Sequence, residues 1–158
     1  MELKDLVAAF ASEVGVTDFE PDEDGAYEFS IDDIAMMVML DGKGTHLAFY
    51  AELDEPPAEG REQAYRALLE ASFPRGGVAK ASFSIDGESG RICLHRVELL
   101  ADLDYDAFKA ALEEFVNVAD DWRRNLAKFP AMFATVQDAI GQDAETARSL
   151  SSGGFMRI

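Results

Sequence analysis

Leu3, Leu6, Val7, Phe10 and Val14 recur at intervals of three and four, which puts all five on one side of a helix. Gly15 follows, where a helix commonly ends in a left-handed residue. This spacing predicts a first helix over about residues 2–14. The run from Asp18 to Gly25 holds turn residues and no period. From Tyr27 the period drops to two: Tyr27, Phe29 and Ile31 alternate with Glu28 and Ser30, as in a half-buried strand. Asp32-Asp33 makes a short turn into Ile34-Ala35-Met36-Met37-Val38-Met39-Leu40, apolar on both faces, and Asp41-Gly42-Lys43-Gly44 is a hairpin turn. The chain returns as a strand from Thr45 to Leu53, stopped by Pro56-Pro57, which completes an antiparallel meander.

A second helix is expected over Glu59 to Phe73, with Ala64, Leu68 and Leu69 apolar, and it is broken at Pro74-Arg75-Gly76-Gly77. Val78 to Ile85 is expected as a strand with Ala79, Ala81, Phe83 and Ile85 on one side; Asp86 to Gly90 turns it into a partner from Arg91 to Leu99. Phe108, Leu112, Phe115, Ala119, Trp122, Leu126 and Phe129 then step by fours and threes, predicting a long amphipathic helix that Asp104 caps and Pro130 ends. Met132, Phe133, Val136 and Ile140 suggest a short extra helix, and the Ser- and Gly-rich remainder is expected to be loosely ordered.

Strands joined by tight turns, with helices before, between and after them, predict an α+β fold. Its antiparallel twisted sheet has about five strands flanked by three helices, in the order α-β-β-β-α-β-β-α. The expected organisation is one domain over residues 1–129 and a C-terminal tail over 130–158.

Charge adds to this picture through its distribution. The net charge is −17, and residues 1–60 hold sixteen acids against two bases, Lys4 and Lys43. Solubility accounts for such an excess, and so does a basic or neutral partner for the N-terminal half. Nucleic acid is excluded as a partner, because there is no basic stripe to meet phosphates. No stretch approaches the ~20 apolar residues of a membrane span, so no insertion is expected. Met1-Glu2-Leu3-Lys4-Asp5 lacks the basic-then-apolar layout of a signal peptide, and a cytoplasmic location is expected. The single cysteine, Cys93, leaves no internal disulfide.

Catalytic and metal-binding patterns are weak. Glu20, Asp22, Asp24 and Gly25 imitate the start of a calcium loop, but Pro21 lies inside it and Ile31 stands where the bidentate glutamate belongs. His46 and His95 have no metal-ligand spacing. Cys93 and His95 share a strand face at spacing two, conceivable as a Cys/His pair, although a buried strand cysteine is the commoner case. Gly87-Glu88-Ser89-Gly90 lacks the G-x-S-x-G spacing of a nucleophile elbow. No catalytic residue, metal or cofactor is expected. Met36, Met37 and Met39 fall in one strand, with Met37 and Met39 on the same side; flexible thioethers suit a surface that accepts varied apolar partners, and they also suit an ordinary covered strand.

Several local patterns resemble the Tir chaperone family of class I type III secretion chaperones. They are Arg66-Ala67-Leu68-Leu69-Glu70-Ala71-Ser72-Phe73, Gly77 through Asp86, Gly90-Arg91-Ile92-Cys93-Leu94-His95-Arg96, and Phe108 through Leu126. The resemblance spans about residues 2–129 as many weak positions, with Ala71 standing where the family often has asparagine. It implies a non-catalytic bacterial cytoplasmic homodimer, paired largely through the second helix and nearby strands. Such a dimer binds the N-terminal segment of a secreted effector in extended form, keeps it soluble and hands it to the export apparatus, whose ATPase is a further implied partner. A regulatory or stress-related protein-binding module with the same fold, outside any secretion system, is the alternative. On the resemblance, the client-contact candidates are Phe10, Phe29, Met37, Met39, Phe49 and Tyr50, and the dimer-seam candidates are Tyr65, Leu69, Phe73 and Val78.

Overall fold

The computed structural model describes residues 1–16, 19–73 and 78–128. In chain order the elements are α1 (Leu3–Val14), β1 (Tyr27–Ile31), β2 (Ile34–Leu40), β3 (His46–Asp54), α2 (Arg61–Ala71), β4 (Ser82–Ile85), β5 (Ile92–Leu99) and α3 (Tyr105–Leu126), with a single 3-10 turn at Leu100–Asp102 before α3. All strand pairs are antiparallel, in the order β1-β2-β3-β5-β4. The expected α+β order is therefore the observed one, and β1 and β4 form the two edges of the sheet.

Helix ends follow the local chemistry. Gly15 adopts φ 76°, and the Val16 N–H reaches back to the Ala11 carbonyl at 2.8 Å. At the start of α3 the Asp104 carboxylate accepts the Ala107 N–H at 2.8 Å, the expected cap. The helix is assigned to Leu126; Phe129, Pro130 and the suggested helix around Met132, Phe133, Val136 and Ile140 lie outside the described residues.

The core lies between one face of the sheet and the helices α1 and α3. Val38, Leu47, Phe49, Ala51, Ile92 and Leu94 are fully buried on that face. Phe49 sits between Phe108 and Phe115 of α3, with ring centroids 5.7 Å from each. Phe83 of β4 meets Trp122 edge-on at 4.9 Å. Arg96 is the one charged residue buried among the described residues; it donates to Glu98 and Glu114. Burial raises the Glu98 carboxyl pKa, but the Arg96 guanidinium, with help from Lys80, outweighs it and leaves Glu98 below its ordinary value.

Three boundaries differ from the pattern-based expectation. The expected strand from Val78 starts only at Ser82, because Ala79 turns the chain with φ 52° and the Ala81 N–H bonds the Val78 carbonyl. Ala79 therefore does not share a strand face with Phe83. The second helix begins at Arg61, after Gly60 in a left-handed conformation, and closes at Ala71. The Asp32-Asp33 turn has positive φ at both residues, 50° and 64°, the twist that a two-residue hairpin needs. Arg123 of α3 donates to both their carbonyls and ties the turn down.

Candidate functional site

The α1 stripe has more apolar residues than the core uses. Leu3, Leu6, Val7 and Ala11 are buried, while Phe10 is only half-buried and Val14 is 54% exposed. β1 is an edge strand whose inward residues, Phe29 and Ile31, are also incompletely covered. Between them opens an apolar cleft lined by Phe10, Val14, Val16, Phe19, Phe29 and Ile31. Phe10 and Phe29 lie 6.0 Å apart, and Phe19 meets Phe29 edge-on at 5.6 Å. Outside the cleft, Glu13 is engaged by Lys109 and by the Tyr105 hydroxyl, and these bonds lower its carboxyl pKa.

The backbone of β1 extends this site. Ile31 and Ile34 close the two-residue hairpin, so Tyr27, Phe29 and Ile31 exchange hydrogen bonds with β2. Glu28 and Ser30 consequently turn their N–H and C=O groups to the open edge of the sheet. The cleft thus has, along one wall, a row of backbone groups that pair with nothing among the described residues.

A second apolar surface lies on α2. Ala64, Leu68 and Ala71 face the core, whereas Leu69 and Phe73 are 70% and 72% exposed. Together with Tyr65 they form a ridge flanked by Arg61, Glu62, Arg66 and Glu70. Isolated exposed apolar side chains are ordinary; here Leu69 and Phe73 are exposed side by side with Tyr65.

The candidate residues divide among several places. Phe10 and Phe29 share the cleft. Met37, Met39 and Tyr50 lie on the opposite, outward face of the sheet, where all three are half-buried. Phe49 is fully buried against α3, since consecutive strand residues point to opposite faces, and it has no surface to offer a client. Tyr65 and Leu69 lie on α2 with Phe73 just past its end, while Val78 is 2% exposed and belongs to the protomer's own core. Val16, Phe19 and Ile31 line the cleft as well, although none is among the candidates. An aromatic residue at 19 inside an acidic, unpatterned stretch was the available signal.

The other chemistries resolve into structural roles. The Asp22 carboxylate accepts the N–H groups of Asp24 and Ala26, and so closes its own loop. Cys93 is buried, with its sulfur 2.7 Å from the Tyr50 hydroxyl. Burial, then this contact, raises the Tyr50 pKa above its ordinary value. Among the described residues no cluster of His, Cys, Asp and Glu is arranged to hold a metal ion, and no helix is long and apolar enough to cross a membrane.

The Tir chaperone protein (CesT) family model matches residues 5–123, which include the cleft, the sheet and the α2 ridge. This chain belongs to the CesT family. As a CesT-family protein it shares its fold with chains from several solved complexes. A chain of the ExsC–ExsE complex is 27% identical, with a TM-score of 0.66, covering 80% of this chain and 97% of that one. A chain of the HopA1–SchA chaperone–effector complex is 19% identical, with a TM-score of 0.64, covering 77% and 92%. In the complex of the Yersinia pestis type III secretion chaperone SycH with a stable fragment of YscM2, the matching chain is 19% identical, with a TM-score of 0.56, covering 74% and 96%. No curated protein sequence matches the CesT-family chain.

Proposed function

We propose that this protein is a type III secretion chaperone that holds the N-terminal segment of a secreted effector in extended form and keeps it soluble for export. The observation that carries this reading is the open edge of β1 beside an unfilled apolar cleft. An extended segment pairs with the backbone of Glu28 and Ser30 and sets alternate side chains against Phe10, Phe19, Phe29 and Ile31. Main-chain pairing supplies affinity without demanding a folded client. Membership of a chaperone family points the same way, as do relatives solved as complexes that include a chaperone–effector pair.

In this reading the α2 ridge joins two copies. A two-fold axis through the ridge sets Leu69 against the partner copy and covers Tyr65 and Phe73 in the same contact. The outward residues Met37, Met39 and Tyr50 lie along the further path of a client that continues past the edge. The binding unit is residues 1–129, the protein works in the bacterial cytoplasm without catalysing a reaction, and the complex is delivered to the export ATPase.

Co-expression with the first ~100 residues of secreted proteins encoded nearby tests the proposal, that length being the scale of a wrapped disordered segment. The expected result is a stable complex containing two copies of this chain and one client segment. A monomer that retains none of these segments would overturn it.

A further inference from the structure

The geometry points to a recognition pocket for a lysine or arginine side chain on the outward face of the β1 edge, so that the captured segment alternates apolar with basic residues. This rests on the proposed capture of an extended client and specifies its chemistry. The outward face of β1, β2 and β3 holds a depression of about 360 Å³ lined by Glu28, Ser30, Ala35, Met37, Tyr50 and Glu52. Its floor is Ala35, Met37 and the Tyr50 ring, and its acidic groups are Glu28 at the edge strand and Glu52 two strands inward. Glu52 is paired with Arg91 at 3.2 Å. Glu28 is exposed and has no cationic partner among the described residues.

Pairing geometry turns these facts into a sequence rule. Directly opposed residues of paired strands lie on the same face, with strands ~4.8 Å apart. A client residue opposite Phe29 therefore faces the apolar cleft, and the one opposite Glu28 faces the outward depression. A long basic side chain there brings its cation to the Glu28 carboxylate on the adjacent strand, at the rim of the depression. A glutamate at the same place meets Glu28 and the field of a segment whose first sixty residues hold sixteen acids and two bases.

The test uses the full chain and fluorescent synthetic peptides in which Leu and Val alternate with Lys, Gln or Glu, read by anisotropy. The Lys peptide should bind about fivefold more tightly than the Gln peptide, the scale of one partly exposed ion pair, and the Glu peptide most weakly. Glu28→Lys should reverse the order of the Lys and Glu peptides. Glu88→Lys, the same charge change in the distant β4–β5 turn, should leave the order intact. Equal binding of all peptides, or an equal effect of Glu28→Lys and Glu88→Lys, would overturn the pocket and leave edge capture standing. Binding of none of them would overturn edge capture at β1 and the pocket with it.

Discussion

Replacing Leu69 by aspartate is expected to separate the proposed dimer while leaving each protomer folded. Leu69 is 70% exposed in the protomer, so the substitution removes little from its core. Fully burying a leucine contributes about 1.5–3 kcal/mol, and about two thirds of that is still to be gained at Leu69. A two-fold contact counts the residue twice, so the loss is about 2–4 kcal/mol before the cost of burying a carboxylate. That corresponds to a dimer weaker by about 30- to 700-fold. Sedimentation equilibrium over a range of concentrations reads the constant, and circular dichroism checks the fold. The neighbouring Leu68→Ala provides the contrast. Leu68 is 3% exposed and faces inward, so its truncation should cost about 2–5 kcal/mol of folding stability, measured in urea. Leu69→Asp with an unchanged dimerisation constant, or with a lost fold, would refute the assignment of the two helix faces.

Phe49→Ala should destabilise the protomer by about 3–5 kcal/mol because its ring fills the space between Phe108 and Phe115; Phe10→Ala should cost less stability but weaken client binding, as urea unfolding and co-purification would show. Arg96→Ala strands Glu98 in a largely covered position and should lower unfolding free energy by about 2–3 kcal/mol, read from the urea midpoint. Asp41 accepts the N–H groups of Thr45 and His46, with the His46 bond the larger influence, and its carboxyl is held well below the usual range. A carboxyl lowered on folding contributes stability above its unfolded pKa and loses it as pH falls through the folded one. Asp41→Asn should therefore flatten the acid limb of the pH–stability curve, and an NMR titration of Asp41 should show no midpoint in the ordinary aspartate range.

The fold was largely legible because its signals are local. The three-and-four spacing of Leu3 to Val14, the alternation from Tyr27, and the Asp41–Gly44 turn each act within a few residues, and the observed elements follow them. The strand start at Val78 was misplaced because a run of small and apolar residues is compatible with both a strand and a buried turn, and the left-handed Ala79 has no signature in its residue type. The site was harder. Phe49 and Tyr50 are adjacent and similar in character, yet β3 turns one into the core and the other onto the outward face. Alternation separates the two sides of a strand without showing which side α3 covers. Phe19 joins the cleft through a contact with Phe29 across a loop, which no spacing rule reaches.

The open β1 edge also bears on how the protein survives without a client. Unpaired edges invite polymerisation, and a strand kept free to receive another chain could equally receive a copy of itself. Here the edge is five residues long, carries an outward glutamate at its second position, and belongs to a segment with a local charge of −14. Two such edges repel before their backbones can align. The acidity of the N-terminal half thus opposes edge-to-edge pairing of two copies at the strand proposed to receive a client.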